Sequence, residues 1–174
     1  MVYSINISAH QASRPAFMKS IIRQIAGSGR ASNFMLELTE DSFLKPDAFQ
    51  EQILPLVRAA GIGISIDDFG TGYSSLSMLA EITADELKID RSFVSSIQSR
   101  PNNQSILRAI HSLGKAFGIR LVAEGIETEQ ELAYLQARTG IRLGQGFLFH
   151  RPAFIEEVIG SRSKLVRYDF ALAS

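Results

Sequence analysis

Six short runs rich in Ile, Val, Leu and Phe recur along this chain, and longer stretches with the period of amphipathic helices fill most of the gaps between them. Parallel strands are covered on both faces and need a crossover between neighbours, so this alternation predicts an α/β fold of repeated βα units. Strands are expected at about residues 2–7, 34–38, 62–66, 86–89, 120–123 and 141–143. Helices are expected at 15–26, 47–60, 103–117 and 128–139, with a short one after Pro152. The strand before Asp67 should reach the next one through a Gly- and Ser-rich loop and a short turn. Gly61, Gly118 and Gly140 each precede an Ile that opens a strand, and a Gly just past a helix can close its last turn in the left-handed conformation. Thr128 and Glu131 have the spacing of a capping box.

A chain of 174 residues, 45% of them hydrophobic, supports one domain with a sizeable core. Eighteen Lys and Arg balance eighteen Asp and Glu, so there is no global field for nucleic acid or an anionic membrane, and DNA or RNA binding is not expected. The absence of Cys excludes disulfides and thiolate metal sites and fits a reducing compartment such as the bacterial cytoplasm. No stretch reaches the roughly 18–20 apolar residues of a membrane span.

Each expected strand delivers polar groups at its C-terminal end: Asn6 and Ser8, Glu37 and Glu40, Asp67 and Asp68, Lys88 and Asp90, Glu124 and Glu127, then Gln145. One acidic residue after a strand is ordinarily a cap or a solvated loop. Six strands in succession instead describe the face at which βα barrels assemble their active sites. Converging carboxylates raise one another's pKa unless a cation joins them. The donors are all oxygens, and His10, His111 and His150 lie away from the strand ends as structural or surface residues, so Mg²⁺ or Mn²⁺ is favoured. Asp67 and Asp68 stand just past a strand, where alternate side chains diverge; one carboxylate could then bridge two ions while the other serves the second. Residues 67–75, with two glycines and three small hydroxyl residues, read as a mobile phosphate-approaching or gating loop. Lys88 suits either the orientation of a water or phosphate oxygen, or a salt bridge to a neighbouring carboxylate.

Asn6-Ile7-Ser8, Glu37-Leu38-Thr39-Glu40, Asp67 through Ser75, Leu87 through Val94, Val122 through Thr128 and Gln145-Gly146-Phe147 together resemble the successive motifs of the EAL domain family, over nearly the whole chain to about Pro152. The resemblance implies a TIM-like (β/α) barrel that hydrolyses cyclic di-GMP to linear pGpG with Mg²⁺ or Mn²⁺. It implies that Asn6, Glu37 and Asp67 are metal ligands, with Asp67 shared between two ions and Asp68 on the second. Lys88 and Glu124 would position and deprotonate the attacking water, and Glu127 and Gln145 would complete the site. Glu40 would tether the loop that carries Asp68 to Ser75, near the dimer interface, and Asp90 would lie close to the metals or the ligand.

The Glu-Ala-Leu tripeptide that names the family does not occur, and Phe147 replaces the usual Tyr. A complete barrel takes about 250 residues and eight strands. The expectation is therefore an EAL-type domain over residues 1–160 that lacks its first two βα units and the Glu ligand they carry, followed by a tail over 161–174. Activity would then be weak or lost. The alternative is a non-catalytic module that binds cyclic di-GMP or a protein partner, in either case alongside a fused or separate sensory or cyclase-like domain. Open sheet edges should also drive homodimerisation or strand exchange.

Overall fold

The computed structural model describes residues 2–43, 49–70 and 76–154. Residues 71–75 of the Gly- and Ser-rich loop, the helix expected after Pro152 and the tail at 161–174 lie outside the described residues, as does the start of the helix expected from Asp47.

Strands β1 (Tyr3–Ile7), β2 (Phe34–Thr39), β3 (Gly63–Phe69), β4 (Glu86–Ile89), β5 (Arg120–Ala123) and β6 (Leu143–Gly144) form one sheet in chain order. Every pairing is parallel. This is the six-stranded α/β arrangement expected from the sequence. The described sheet is open: β1 pairs only with β2, and β6 only with β5. The helices are α1 (Ala9–Ala12), α2 (Pro15–Gly27), α3 (Leu54–Ala59) entered through a π-helical turn at Phe49–Ile53, α4 (Leu76–Ile82), α5 (Arg91–Val94), α6 (Pro101–Phe117) and α7 (Glu129–Arg138). The connection expected to be a loop and turn before β4 thus holds α4. The short α5 had no sequence expectation, because four residues cannot establish a helical period.

Strand parity divides the sheet into two faces. Leu36, Leu38, Ile64, Ile66, Leu87 and Ile89 are almost wholly buried and form the core with Met18, Val57, Leu79, Leu107 and Leu132 from the helices. Burial of each such side chain is worth about 1.5–3 kcal/mol relative to exposure. The residues between them face the other way. Register puts Asn6, Glu37, Ser65, Glu86 and Arg120 in one row across five strands, with Lys88 two residues further along β4. One face is an apolar core; the other is a polar lumen that ends in the strand-end groups.

Gly61 (φ 73°) and Gly118 (φ 69°) close their helices in the left-handed region, as expected. Gly140 does not: its backbone is ordinary, and it is small because the His111 ring occupies the place a Cβ would take. The capping box of α7 forms as expected, with Thr128 Oγ1 accepting from Glu131 N at 3.3 Å.

The Glu131 carboxylate does more than cap. Its Oε2 accepts from the N–H groups of Glu127 (2.9 Å) and Thr128 (3.0 Å), and its Oε1 accepts from Ser96 N (2.8 Å), so it joins the β5–α7 and α5–α6 connections. Burial alone would raise the pKa of Glu131, but these backbone donors outweigh it and hold the group below the usual 4.5. A depressed carboxylate contributes stability that is complete above its unfolded pKa and is lost as pH falls through the folded one. Glu131→Gln should therefore cost about 1–2 kcal/mol at neutral pH. Urea denaturation of both proteins at pH 7 and at pH 3 checks this: the difference between them should shrink at the lower pH, and a constant difference would contradict it.

Candidate active site

Lys88 leaves β4 between Leu87 and Ile89, so the apolar side chains on either side turn into the core and the ammonium turns into the lumen. Its Nζ meets three carboxylates from three other strands or strand ends: Glu37 Oε2 at 3.1 Å, Asp67 Oδ1 at 3.0 Å and Glu124 Oε1 at 2.7 Å. Lys88 and Glu37 are both about 8% exposed in their side chains, so little water screens the pair. Gln145 Nε2 donates to the same Glu124 oxygen at 2.5 Å. Four of the expected site residues thus surround Lys88 directly or through Glu124.

Burial by itself would depress the Lys88 ammonium, but the hydrogen bonds and charges of Glu124 and Asp67 outweigh it and raise its pKa above the ordinary lysine value. Glu124 is raised as well, first by burial and further by the charges of Asp67 and Asp68, against the lowering pull of Lys88. Both partners of one ion pair move up, Lys88 through its carboxylate partners and Glu124 first through burial. Asp68 is raised for the same reasons, burial first and then the charges of Asp67 and Asp90.

Asp67 and Asp68 lie inside the last turn of β3 rather than past it, where the register slips between Ile66 and Phe69 and Asp68 takes φ 54°. Asp67, Asp68 and Glu124 each offer an oxygen within 4.8 Å of the others. An all-oxygen donor set carrying excess negative charge suits a hard divalent cation, so these residues fit Mg²⁺ or Mn²⁺. Glu37 stands beside them across Lys88.

The remaining expected residues lie around this centre. Asn6 is exposed, next to Glu37 in register, and its side chain forms no hydrogen bond among the described residues. Glu40 Oε1 accepts from Gly70 N at 2.9 Å, which ties the end of β2 to the segment after Asp68. Asp90 Oδ1 accepts from Ser92 N at 2.9 Å and caps α5. Glu127 pairs with Arg91, whose Nη2 lies 3.0 Å from its Oε2. Glu127 and Glu124 share a cavity of about 470 Å³ with Arg91, Gln145, Phe147 and His150. His150 therefore borders the site, although it leaves the metal donors to the carboxylates. Arg151 stacks over the Phe147 ring, 4.7 Å from its centroid. Arg91 was invisible to sequence reasoning because a basic residue after Asp90 has no distinctive spacing; only the fold brings it to Glu127.

Residues 1–152 match the EAL domain family. Among curated relatives, the bifunctional diguanylate cyclase/cyclic di-GMP phosphodiesterase MucR of Pseudomonas aeruginosa is 38% identical over 159 residues, which cover 91% of this chain and 23% of MucR. The cyclic di-GMP phosphodiesterase NbdA of the same organism is 36% identical over 172 residues, 97% of this chain and 21% of NbdA. The chain thus spans under a quarter of the length of these two relatives. Among solved structures, the MucR phosphodiesterase in complex with cyclic di-GMP superposes with a TM-score of 0.82 at 38% identity, covering 90% of this chain and 64% of that one. The EAL domain of Mycobacterium smegmatis DcpA gives 0.83 at 38% identity, with 91% and 71% covered. Klebsiella pneumoniae BlrP1 with manganese and cyclic di-GMP gives 0.78 at 34% identity, with 87% and 39% covered. Sequence motifs, six-stranded topology and these likenesses agree, and the chain belongs to the EAL domain family of cyclic di-GMP phosphodiesterases.

Proposed function

We propose that this chain hydrolyses cyclic di-GMP to linear pGpG with Mg²⁺ or Mn²⁺ as part of bacterial second-messenger signalling, at low turnover. The observation that carries the reading is the group of Asp67, Asp68 and Glu124 oxygens converging beside a buried lysine. Support comes from relatives at 34–38% identity solved with cyclic di-GMP, one of them with manganese. Asn6, Glu37, Asp67 and Asp68 would hold the ions, and the ions would supply electrophilic stabilisation of the phosphodiester oxygens.

The chain's own groups divide the rest of the work. Lys88 and Gln145 both hold Glu124 Oε1, which fixes the carboxylate's orientation. Its raised pKa makes it a better proton acceptor than an ordinary Glu. Glu124 takes the proton of a water whose oxygen attacks phosphorus. One P–O bond of the ring breaks, its oxygen takes a proton from solvent and leaves as the ribose hydroxyl, Glu124 returns its proton to solvent, and one water is consumed. Glu40 tethers the segment that bears Asp68, and Glu127 and Asp90 border the ligand.

Low turnover follows from two features. The Glu-Ala-Leu tripeptide does not occur in these 174 residues, so tested alone they offer one family carboxylate fewer. The described sheet is also open beside Asn6, and misplacement by an ångström can cost about a hundredfold in rate. The absent carboxylate equally favours a second reading, a module that binds cyclic di-GMP without cleaving it. In both readings residues 1–160 act as one domain beside a sensory or cyclase-like partner, and the open edges pair two copies.

Three measurements test this. With Mn²⁺, the purified chain should release pGpG, and Glu124→Gln should reduce that release about a hundredfold or more; binding without release would establish the second reading. Lys88→Met leaves three converging carboxylates without their cation, which costs about 3–5 kcal/mol and should lower the metal-free melting temperature by roughly 10 °C. Added Mn²⁺ should recover a larger share of stability in this variant than in the parent, and equal recovery in both would argue against a cation site there. Sedimentation at micromolar concentration should give a dimer; a clean monomer would remove the edge-pairing proposal.

A further inference from the structure

A cavity of about 230 Å³ opens at the end of β5 and β6 opposite to Glu124 and Gln145, between α6 and the turn from α7 into β6. Four basic side chains line it, His111 and Lys115 from α6, Arg120 at the start of β5 and Arg142 just before β6, and no carboxylate is among its lining residues. His111 and Lys115 are four residues apart and share one helix face. The His111 ring is seated against Gly140, which fixes the helix close to the turn that carries Arg142.

Basic residues in the last turns of α6 would ordinarily offset the helix dipole, and Lys115 alone would call for nothing more. The two arginines come from other elements, and that account does not cover them. Arg142 Nη1 donates to Thr139 O (3.0 Å) and Ile141 O (3.2 Å), which anchors the guanidinium. Its Nη2 and Nε make no hydrogen bond among the described residues. Arg120 is paired only loosely, with Glu86 Oε2 at 3.7 Å. Lys115 and His111 have no hydrogen bond or ion pair among the described residues. Lys115, Arg120 and Arg142 are gathered from three elements with donors unspent, Glu86 on Arg120 is their one acidic partner among the described residues, and an anion between them would relieve their mutual repulsion.

We propose that this pocket is a second binding site, for a small multiply charged anion of the phosphate-chain class. Guanidinium forks match phosphate oxygens in pairs, and an ammonium adds a point charge. The volume is below the roughly 300–1,000 Å³ of sites for drug-sized ligands, which fits a compact polyanion. The active-site cluster, by contrast, is walled by carboxylates and repels such an anion unless metal is bound.

The test uses inorganic pyrophosphate as the probe, titrated into the metal-depleted full chain and followed by ¹⁵N NMR. The amides of His111, Gly140 and Arg142 should shift saturably, with weaker binding at higher ionic strength. The double substitution Lys115→Gln with Arg142→Gln should weaken binding roughly tenfold or more, whereas Lys115→Arg with Arg142→Lys should retain it. Lys115→Gln alone removes an exposed, unpaired group, so the fold survives and a several-fold weakening is expected. No saturable shift, equal affinity in the charge-removed variants, or shifts confined to residues near Lys88 would each overturn the proposal. Failure here would leave the cyclic di-GMP reading untouched, since the two sites share no residue.

Discussion

One buried ammonium organises this molecule. Lys88 is held within 3.1 Å of carboxylates from β2, β3 and the end of β5, and so ties together the strands that carry the chemistry. Each of those carboxylates would be costly to bury alone, and removing the lysine would strand all three. Yet one positive charge cannot neutralise them. Burial raises the pKa of Glu124 and Asp68 first and the neighbouring carboxylates raise them further, and a divalent cation is the simplest group that relieves the excess charge. Burial and the neighbouring carboxylates together make Glu124 a stronger base than an ordinary carboxylate.

Positioning this cluster depends on a division of labour along each strand. Alternate residues of β2, β3 and β4 are nearly wholly buried aliphatics packed on helices, and the residues between them are Glu37, Ser65 and Lys88. A one-residue slip in register would turn charges into the core and aliphatics into the lumen, so the apolar face enforces the geometry of the polar one. Below Lys88, Glu86 receives a hydrogen bond from Ser65 (3.3 Å) and faces Arg120, a second layer that keeps the lumen polar but compensated. Glu131 serves the loops as Lys88 serves the strands, holding three N–H groups from two connections with one carboxylate.

Much of this was legible in the sequence, for identifiable reasons. Parallel strands announce themselves as short aliphatic runs, and all six were found because each is bounded by helical period or by Gly. The last strand formed two residues late, at Leu143–Gly144, because Thr139, Ile141 and Arg142 engage in the turn before it. Strand-end polarity exposed Glu37, Asp67, Lys88, Glu124 and Gln145, and the geometry brings those five together. It could not say that Glu127 turns toward Arg91 or that Gly140 serves His111, because those partners meet only across elements. The alternation of Glu37 between leucines and Lys88 between Leu87 and Ile89 does signal a polar lumen. A reading that treats each run as uniformly buried overlooks it.

The openness of the sheet sharpens what the cluster can do. Asn6 stands exposed at the β1 edge, while Lys88, two strands beyond its neighbour Glu37, is nearly enclosed. A ligand at Asn6 meets this wet margin, where charges are screened and side chains keep their rotamer freedom, whereas Glu37 is as buried as Lys88. Asp67 and Glu124 are half-buried and held by Lys88, and Asp68 beside them is exposed. The strength of a cation site should therefore rest on the converging carboxylates of Glu37, Asp67 and Asp68, with exposed Asn6 tuning position. Covering that edge, by a second copy or by further chain, would then act on rate more than on metal affinity, because orientation is what the open margin lacks.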